Sequence, residues 1–219
     1  MATEQPDQLW CLGDLVGYGP QPNECCNTVA AHADLCLAGN HDLVVLGSLS
    51  IHDFAGDAAT AARWTQTVLE SGPRDFLSGL ESSALRDGVE LFHGSARDPV
   101  WEYVLSQEAA WWTLQATTAP LVLVGHSHVP LAIVDGRGAI GGHAPGGTET
   151  SLAQGKWLLN PGSVGQPRDG DRDAGWLLLD IEAPHVSFRR VPYDVARAQA
   201  SIRAAGLPDA LADRLSLGI

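Results

Sequence analysis

Basic residues are scarce in this sequence: 13 Lys and Arg stand against 26 Asp and Glu, which gives a formal charge of −13 at pH 7. That balance argues against binding to nucleic acid or to anionic membranes, because both need basic patches. The sequence also contains no long apolar run and no signal-peptide pattern. We therefore expect a cytoplasmic protein. A small phosphorylated substrate fits this charge only where bound metal supplies local positive charge.

Cysteine is equally scarce, and all four residues lie in the first forty positions, as Cys11, Cys25, Cys26 and Cys36. They show no CxxC spacing, which predicts reduced, mostly buried thiols and argues against a disulfide framework. The 219 residues show no break in composition. We therefore expect a single domain over residues 1–219, and a homo-oligomer stays open.

The most informative stretch is the apolar run 121–124, LVLV, followed by Gly125, His126, Ser127 and His128. Four apolar residues bounded by Gly and Pro predict a strand buried on both faces, in a sheet that helices cover. His126 and His128 then lie at its carboxyl end, where open α/β sheets bind ligands. Taken alone, the pair is as readily two solvated histidines in a polar loop.

The same design recurs at three other predicted strand ends. Asp14 follows the segment 8–12, Asn40, His41 and Asp42 follow the segment 35–37, and His93 follows the second strand of a predicted hairpin. Asp14 by itself would be an ordinary turn aspartate. The repetition favours a shared site at the carboxyl ends of the strands.

The chemistry of this set points to metal ions and phosphate. One carboxylate, one amide oxygen and three imidazoles suit Zn, Mn or Fe. Two such ions, roughly 3.5–4 Å apart, lower the pKa of a shared water to about 7 and clamp a phosphoryl group for in-line attack. The loop 160–169 adds backbone N–H groups and one guanidinium for phosphate oxygens, with Asn160, Ser163 and Arg168 as candidate substrate-binding residues. The implied reaction is phosphoester hydrolysis by a metal-activated hydroxide.

Four sequence blocks resemble the calcineurin-like metallophosphoesterases, and among them the YfcE-like bacterial phosphodiesterases. The blocks are GDLVGYGP from Gly13, GNHD from Gly39, HG at His93 and GHSH from Gly125, with NPGSVGQPRD from Asn160 in support. The resemblance implies an α/β (α+β) fold, a four-layer type of sandwich in which helices flank two mixed β-sheets. The fold's first strand and helix are not found before Asp14.

The resemblance also implies roles for individual metal ligands. Asp14 would bridge two divalent ions, Asn40, His93 and His126 would complete one site, and His128 would belong to the other. Mn is the metal that we expect, with Zn, Fe, Ni or Mg as alternatives.

Three further residues receive catalytic or binding roles from the same resemblance. His41 would act as a general acid toward the leaving oxygen, Asp42 would orient His41, and Arg168 would contact phosphate. The Asp-Arg pair that protein phosphatases of this superfamily carry after the bridging aspartate is replaced here by Gly17-Tyr18. A small phosphodiester or phosphomonoester substrate is therefore favoured.

One departure from the family pattern is important: no Asp-x-His motif precedes Asp14, so the second site keeps only Asp14 and His128. A missing central strand would cost about 6–12 kcal/mol, which is comparable to the whole stability of a domain, about 5–15 kcal/mol. We hypothesise that the N-terminus is truncated, with two metals in the complete protein and one in this chain. A non-catalytic phosphate- or metal-binding module and a one-metal enzyme are the alternatives.

Overall fold

A computed structural model describes residues 4–135 and 140–219. None of the helices in these ranges combines the length and the hydropathy that crossing a membrane requires. The strands are β1 Trp10–Cys11, β2 Leu35–Cys36, β3 Ser83–Arg86, β4 Val89–Phe92, β5 Leu121–Val124, β6 Leu131–Asp135, β7 Ile140–His143, β8 Glu149–Ser151, β9 Lys156–Asn160, β10 Ala174–Asp180 and β11 His185–Val191. The α-helices are α1 Pro22–His32, α2 Asn40–Leu46, α3 Gly56–Val68, α4 Ser71–Ser78, α5 Gln107–Ala116, α6 Val195–Ala204 and α7 Asp209–Asp213.

The chain divides into two compact units. The first comprises residues 4–82 and 196–213, and the second comprises residues 83–195 and 214–219, outside the gap at 136–139. The expectation of one domain over the whole chain stays a prediction.

The second unit is built around a six-stranded mixed sheet in the order β3-β4-β5-β9-β6-β7. Strands β4, β5 and β9 are parallel neighbours, so their carboxyl ends meet at one edge of the sheet. The register pairs Phe92 with Val124, and the N–H of Gly125 donates to the carbonyl of His93 at 2.9 Å. The sheet therefore places the residues that follow β4 and β5 side by side.

The centre of this sheet is as apolar as the sequence predicts. All four residues of β5 are buried, and helix α5 packs against β6 and β9. The core cluster consists of Val104, Ala110, Leu114, Val122, Val124, Ile133 and Leu158. Because side chains on both faces of β5 are withdrawn from water, the strand is a rigid support for the loop that follows it.

The predicted hairpin over residues 83–93 is confirmed by the antiparallel pairing of β3 with β4. Asp87 and Gly88 both have left-handed backbone, with φ of 51° and 76°. Positive φ at both central residues is the requirement of a type I′ turn, which is why Asp-Gly suits this position. In the same unit, β10, β11 and β8 form a separate antiparallel sheet.

The first unit contains a two-stranded parallel sheet, β1 with β2, and several helices. Helix α1 packs against α4, and α2 packs against α3 and α4. Asn is a residue type favoured at helix N-caps, but α1 begins at Pro22 with Gln21 as its N-cap, and Asn23 lies inside the helix. Asn23 instead donates to the carbonyl of Val68 at 3.0 Å and accepts from the N–H of Glu70 at 2.9 Å. Its amide thus joins α1 to the segment between α3 and α4.

The α/β class with mixed sheets is confirmed. The number of sheets differs from the prediction, since the described residues form three sheets and not two. Short strands explain part of this difference: β1 and β2 contribute two residues each and pair with one another.

Candidate metal and phosphate site

Three of the predicted metal ligands have left-handed backbone. The φ angles are 57° at Asp14, 56° at His126 and 60° at His128. This region costs a residue with a side chain roughly 1–2 kcal/mol, and such residues concentrate at functional sites. The other two non-glycine residues with positive φ in the described ranges are Gln5, near the start, and Asp87, in the hairpin turn.

In the first unit, the turn that follows β1 brings Asp14 to the start of helix α2. The N–H of His41 donates to Oδ1 of Asp14 at 3.0 Å. Gly39, the N-cap of α2, leaves room for this carboxylate, because a Cβ at position 39 would overlap Oδ1 of Asp14. Glycine in the GNHD block is therefore required by close approach, since its own φ of −93° suits any residue.

Asp42 is a buried carboxylate that holds the backbone of this turn. Its Oδ2 accepts from the N–H groups of Asp14 and Gly39, both at 2.9 Å, and its Oδ1 accepts from those of Leu15 at 2.9 Å and Val16 at 3.2 Å. Burial raises the pKa of Asp42, and the nearby charge of Asp14 raises it further, while the backbone N–H donors oppose this. Asp42 therefore fixes the conformation around Asp14, and its expected effect on His41 stays a prediction.

His41 is buried between two aromatic side chains. Its ring centroid lies 4.3 Å from that of Tyr18 and 4.4 Å from that of Phe54. Gly17, with φ of 128°, passes so close that a Cβ there would overlap the imidazole. The ring is thus held in one orientation by its neighbours, as a proton donor must be. Asn40 is also buried and is the first residue of α2.

In the second unit, two buried imidazoles that follow β4 and β5 lie side by side. Nε2 of His93 lies 3.2 Å from Nδ1 of His126. Nε2 of His126 lies 3.2 Å from the carbonyl oxygen of Trp101. A carbonyl only accepts, so this contact assigns the proton of His126 to Nε2 and leaves Nδ1 as an acceptor. Tyr103 stacks on the same ring, with centroids 3.9 Å apart and planes 14° apart.

The spacing of these two nitrogens fits a shared cation. Two nitrogen ligands in tetrahedral geometry, each about 2.0–2.1 Å from the metal, lie roughly 3.3 Å apart. A backbone carbonyl on the far nitrogen of His126 is the usual means of fixing a ligating tautomer. The residues present therefore suit a borderline divalent metal ion.

His128 is oriented in the same manner by a different loop. Its Nδ1 donates to the carbonyl oxygen of Gln166 at 2.7 Å, which leaves Nε2 as an acceptor. The side chain of Gln166 accepts from Arg168 at 2.9 Å, and the N–H of Arg168 donates to the carbonyl of His128 at 3.3 Å. The predicted phosphate contact Arg168 therefore belongs to the same loop network as His128.

Asn160 is completely buried at the end of β9 and ties this loop to the GHSH turn. Its Nδ2 donates to the carbonyl of Gly125 at 2.6 Å and to Oγ of Ser127 at 3.0 Å, and its Oδ1 accepts from the N–H of Gly162 at 2.9 Å. Each of these hydrogen bonds joins Asn160 to another group of the protein. Asn160 therefore positions the GHSH turn, and its role in substrate binding stays a prediction.

Ser163 also makes contacts within its loop. Its Oγ accepts from the N–H of Gln166 at 3.0 Å, and its carbonyl accepts from the N–H of Gly175 at 2.8 Å. Its role in substrate binding stays a prediction.

Each unit therefore brings together its own share of the predicted residues. Asp14, Asn40, His41 and Asp42 gather in the first unit, and His93 with His126, and His128 with Arg168, gather in the second. Sequence reasoning missed the residues that position them, which are Gly17, Tyr18, Gly39, Phe54, Trp101, Tyr103 and Gln166. Of these, Gly17, Tyr18 and Gly39 stand inside the motif blocks, and Gln166 stands inside the supporting segment 160–169, so membership of those segments was the available signal.

Comparisons with known proteins identify the family and the fold. Residues 1–183 match the family model of the calcineurin-like phosphoesterase superfamily domain. An uncharacterized protein of Methanocaldococcus jannaschii, MJ0912, is 35% identical over 216 residues, covering 96% of this chain and 86% of that protein. The crystal structure of a metallophosphoesterase from Sphaerobacter thermophilus superposes with a TM-score of 0.90 at 37% identity, covering 100% of this chain and 91% of the other. A hypothetical protein of Pyrococcus horikoshii, PH1004, shares the fold at a TM-score of 0.74 and 18% identity, covering 96% and 84%.

The chain belongs to the calcineurin-like phosphoesterase superfamily. Members of this class are phosphoester hydrolases that depend on divalent metal ions. Asp14 in the first unit and His93 and His126 in the second are candidate ligands for divalent metal. The resemblance to YfcE-like enzymes and the choice of Mn stay predictions.

Proposed function

We propose that this protein hydrolyses a small phosphodiester or phosphomonoester with the aid of bound divalent metal, most readily Mn. The observation that carries the proposal is the pair His93 and His126, two buried imidazole nitrogens 3.2 Å apart with one tautomer fixed by a backbone carbonyl. Burying two imidazoles side by side costs free energy in a core, whereas the same arrangement suits metal binding.

The proposed ligands are those named by the sequence motifs. Asp14 and Asn40 of the first unit and His93, His126 and His128 of the second would bind divalent metal. When bound, such ions acidify a coordinated water and offset the charge of the phosphoryl oxygens.

The remaining residues handle the substrate and the proton. Arg168 binds a phosphoryl oxygen through its guanidinium. His41, clamped between Tyr18 and Phe54, donates a proton to the leaving oxygen as its bond to phosphorus breaks. Water supplies the incoming oxygen, so the products are a phosphate or phosphomonoester and an alcohol.

Turnover of bis-p-nitrophenyl phosphate and p-nitrophenyl phosphate by the purified, Mn-loaded protein tests the proposal. We expect His41→Asn to lower kcat about 10²–10⁴-fold while Mn binding is retained. His52→Asn is the matched control, since His52 is an exposed histidine of the same unit, and it should leave turnover unchanged.

Two results would overturn the proposal. Metal binding without turnover of either ester would favour the non-catalytic binding module. Turnover that His41→Asn does not affect would remove the general-acid role.

A further inference from the structure

Cys11 and Cys36 occupy directly opposed positions on the parallel strands β1 and β2. The N–H of Leu37 donates to the carbonyl of Cys11 at 2.9 Å, which fixes this register. Neighbouring strands lie about 4.8 Å apart, inside the range of Cα separations that a disulfide accepts, about 4.4–6.8 Å. Both side chains are only partly buried, and the thiol of Cys36 donates to the carbonyl of Leu37 at 3.5 Å.

The environment makes the two sulfurs unequal. The neighbouring thiol of Cys36 is the largest influence on Cys11 and lowers the pKa of its thiol. The interaction with Cys11, followed by burial, raises the pKa of Cys36. Burial raises the pKa of Cys25 and raises that of Cys26 to about 12. Since the thiolate is the reactive form, Cys11 is the favoured nucleophile among the four and Cys36 stands beside it.

We propose that Cys11 and Cys36 are a redox-sensitive thiol pair that closes reversibly into a disulfide between β1 and β2, with hydrogen peroxide as the oxidant. The sulfur of Cys11 attacks one peroxide oxygen, the O–O bond breaks, and the departing hydroxide takes up a proton to leave as water. The sulfenic acid on Cys11 is then attacked by the sulfur of Cys36, whose proton leaves with the sulfenic oxygen as a second water. Two thiols are oxidised and one peroxide is reduced to two waters.

Closure of the disulfide is also expected to change metal binding. This expectation rests on the proposed function, whereas the disulfide itself does not. The most common Cα separation across a disulfide, about 5.5–6 Å, is longer than the strand spacing of about 4.8 Å, so closure favours a wider separation of the two strands at this position. Asp14 follows Cys11 by three residues and Asn40 follows Cys36 by four. The strand ends that carry both proposed ligands therefore move when the pair oxidises.

Peptide mapping by mass spectrometry tests the bond itself. The reduced full-length protein is treated with stoichiometric hydrogen peroxide, and its remaining thiols are alkylated before digestion. We expect a peptide pair linked through Cys11 and Cys36, alkylated Cys25 and Cys26, and reversal by dithiothreitol. Cys25→Ser, a change at an exposed position, should give the same linkage.

Two outcomes would overturn the thiol pair: Cys11 and Cys36 both remain alkylatable after peroxide, or Cys25 oxidises ahead of them. In Cys36→Ala we expect dimedone to trap a sulfenic acid on Cys11. The mapping of the wild-type chain needs no variant, so it decides the question even where a substitution prevents folding.

Equilibrium dialysis of Mn²⁺ tests the coupling. We expect about tenfold weaker binding to the oxidised wild type, full recovery with dithiothreitol, and no change in peroxide-treated Cys36→Ser. Unchanged affinity in the oxidised wild type would overturn the coupling. Absence of Mn²⁺ binding to the reduced protein would instead contradict the proposed function, and the peptide map would stand independently.

Discussion

The two units hold their candidate functional side chains by different physical means. In residues 83–195 the support is a sheet: β4, β5 and β9 are buried parallel neighbours, and their register places His93 beside the turn that carries His126. In residues 4–82 the strands are two residues long, and the support is a single buried carboxylate, Asp42, that accepts four backbone N–H groups.

This difference teaches where each unit is vulnerable. A packed sheet distributes its stabilisation over many apolar side chains, so a single change at its edge is absorbed in part. A hydrogen-bond hub concentrates its stabilisation in one residue, because the loss of one buried acceptor leaves several donors without a partner. The unit around Asp14 should therefore respond more strongly to one substitution than the unit around His126.

The largest effect is expected from Asp42→Ala. Removal of the carboxylate leaves four N–H groups around Asp14 without their acceptor, and we expect a loss of about 3–5 kcal/mol in the free energy of unfolding. Urea denaturation measures it, with the exposed Asp53→Ala as the control. A loss within 0.5 kcal/mol of the control, roughly the size of a neutral surface change, would show that Asp42 is not a hub.

A smaller loss is expected from Asn160→Ala, the comparable polar hub of the second unit. Its amide serves Gly125, Ser127 and Gly162, but the surrounding sheet persists, and we expect a cost of about 2–3 kcal/mol. Hydrogen exchange should locate the loosening at the GHSH turn. A loss that exceeds that of Asp42→Ala would reverse the comparison.

Gly39→Ala should impair metal binding and also lower stability. The added Cβ overlaps both Oδ1 and the backbone nitrogen of Asp14, so the carboxylate and its backbone must move, and we expect about 10–100-fold weaker Mn²⁺ binding. Gly19→Ala is the matched control, because a Cβ there meets no atom within 4 Å. Equal affinities in the two variants would contradict the close-approach argument.

The smallest effect is expected from Glu90→Gln, away from the site. Desolvation raises the pKa of Glu90, but N–H donors from Ala119 and Thr118 outweigh it and lower the pKa below its ordinary value. A carboxylate with a lowered folded-state pKa stabilises the protein above its unfolded pKa and loses that contribution as pH falls through the folded one. At pH 7 the free energy of unfolding of the wild type should exceed that of Glu90→Gln by about 1 kcal/mol or less. The two free energies should converge below pH 4, roughly the ordinary pKa of glutamate. Urea midpoints at both pH values check it.

Local sequence patterns were sufficient for the elements that local physics decides. Strand β5 was predicted with its observed bounds from four consecutive apolar residues, and Asp87-Gly88 predicted the hairpin turn. The proposed ligands could be named from the sequence because polar side chains follow short apolar segments, which is a property of short sequence windows.

Interactions between distant residues could not be obtained in this way. Asp42 contacts residues 26–28 positions earlier, and Asn23 contacts residues 45–47 positions later. Nothing near Asn23 in sequence distinguishes a helix cap from a tie to another helix. The tautomers of His126 and His128 likewise depend on carbonyls of Trp101 and Gln166, whose own side chains carry no such signal.

The central claim is that Asp14 and His93 are ligands of the divalent metal that the proposed reaction uses. Equilibrium dialysis of Mn²⁺ against the wild type, Asp14→Ala and His93→Ala tests it most directly, with His52→Ala as the control. The account predicts at least about 100-fold weaker Mn²⁺ binding in Asp14→Ala and in His93→Ala, and unchanged Mn²⁺ affinity in the control. Full affinity in either Asp14→Ala or His93→Ala would contradict it.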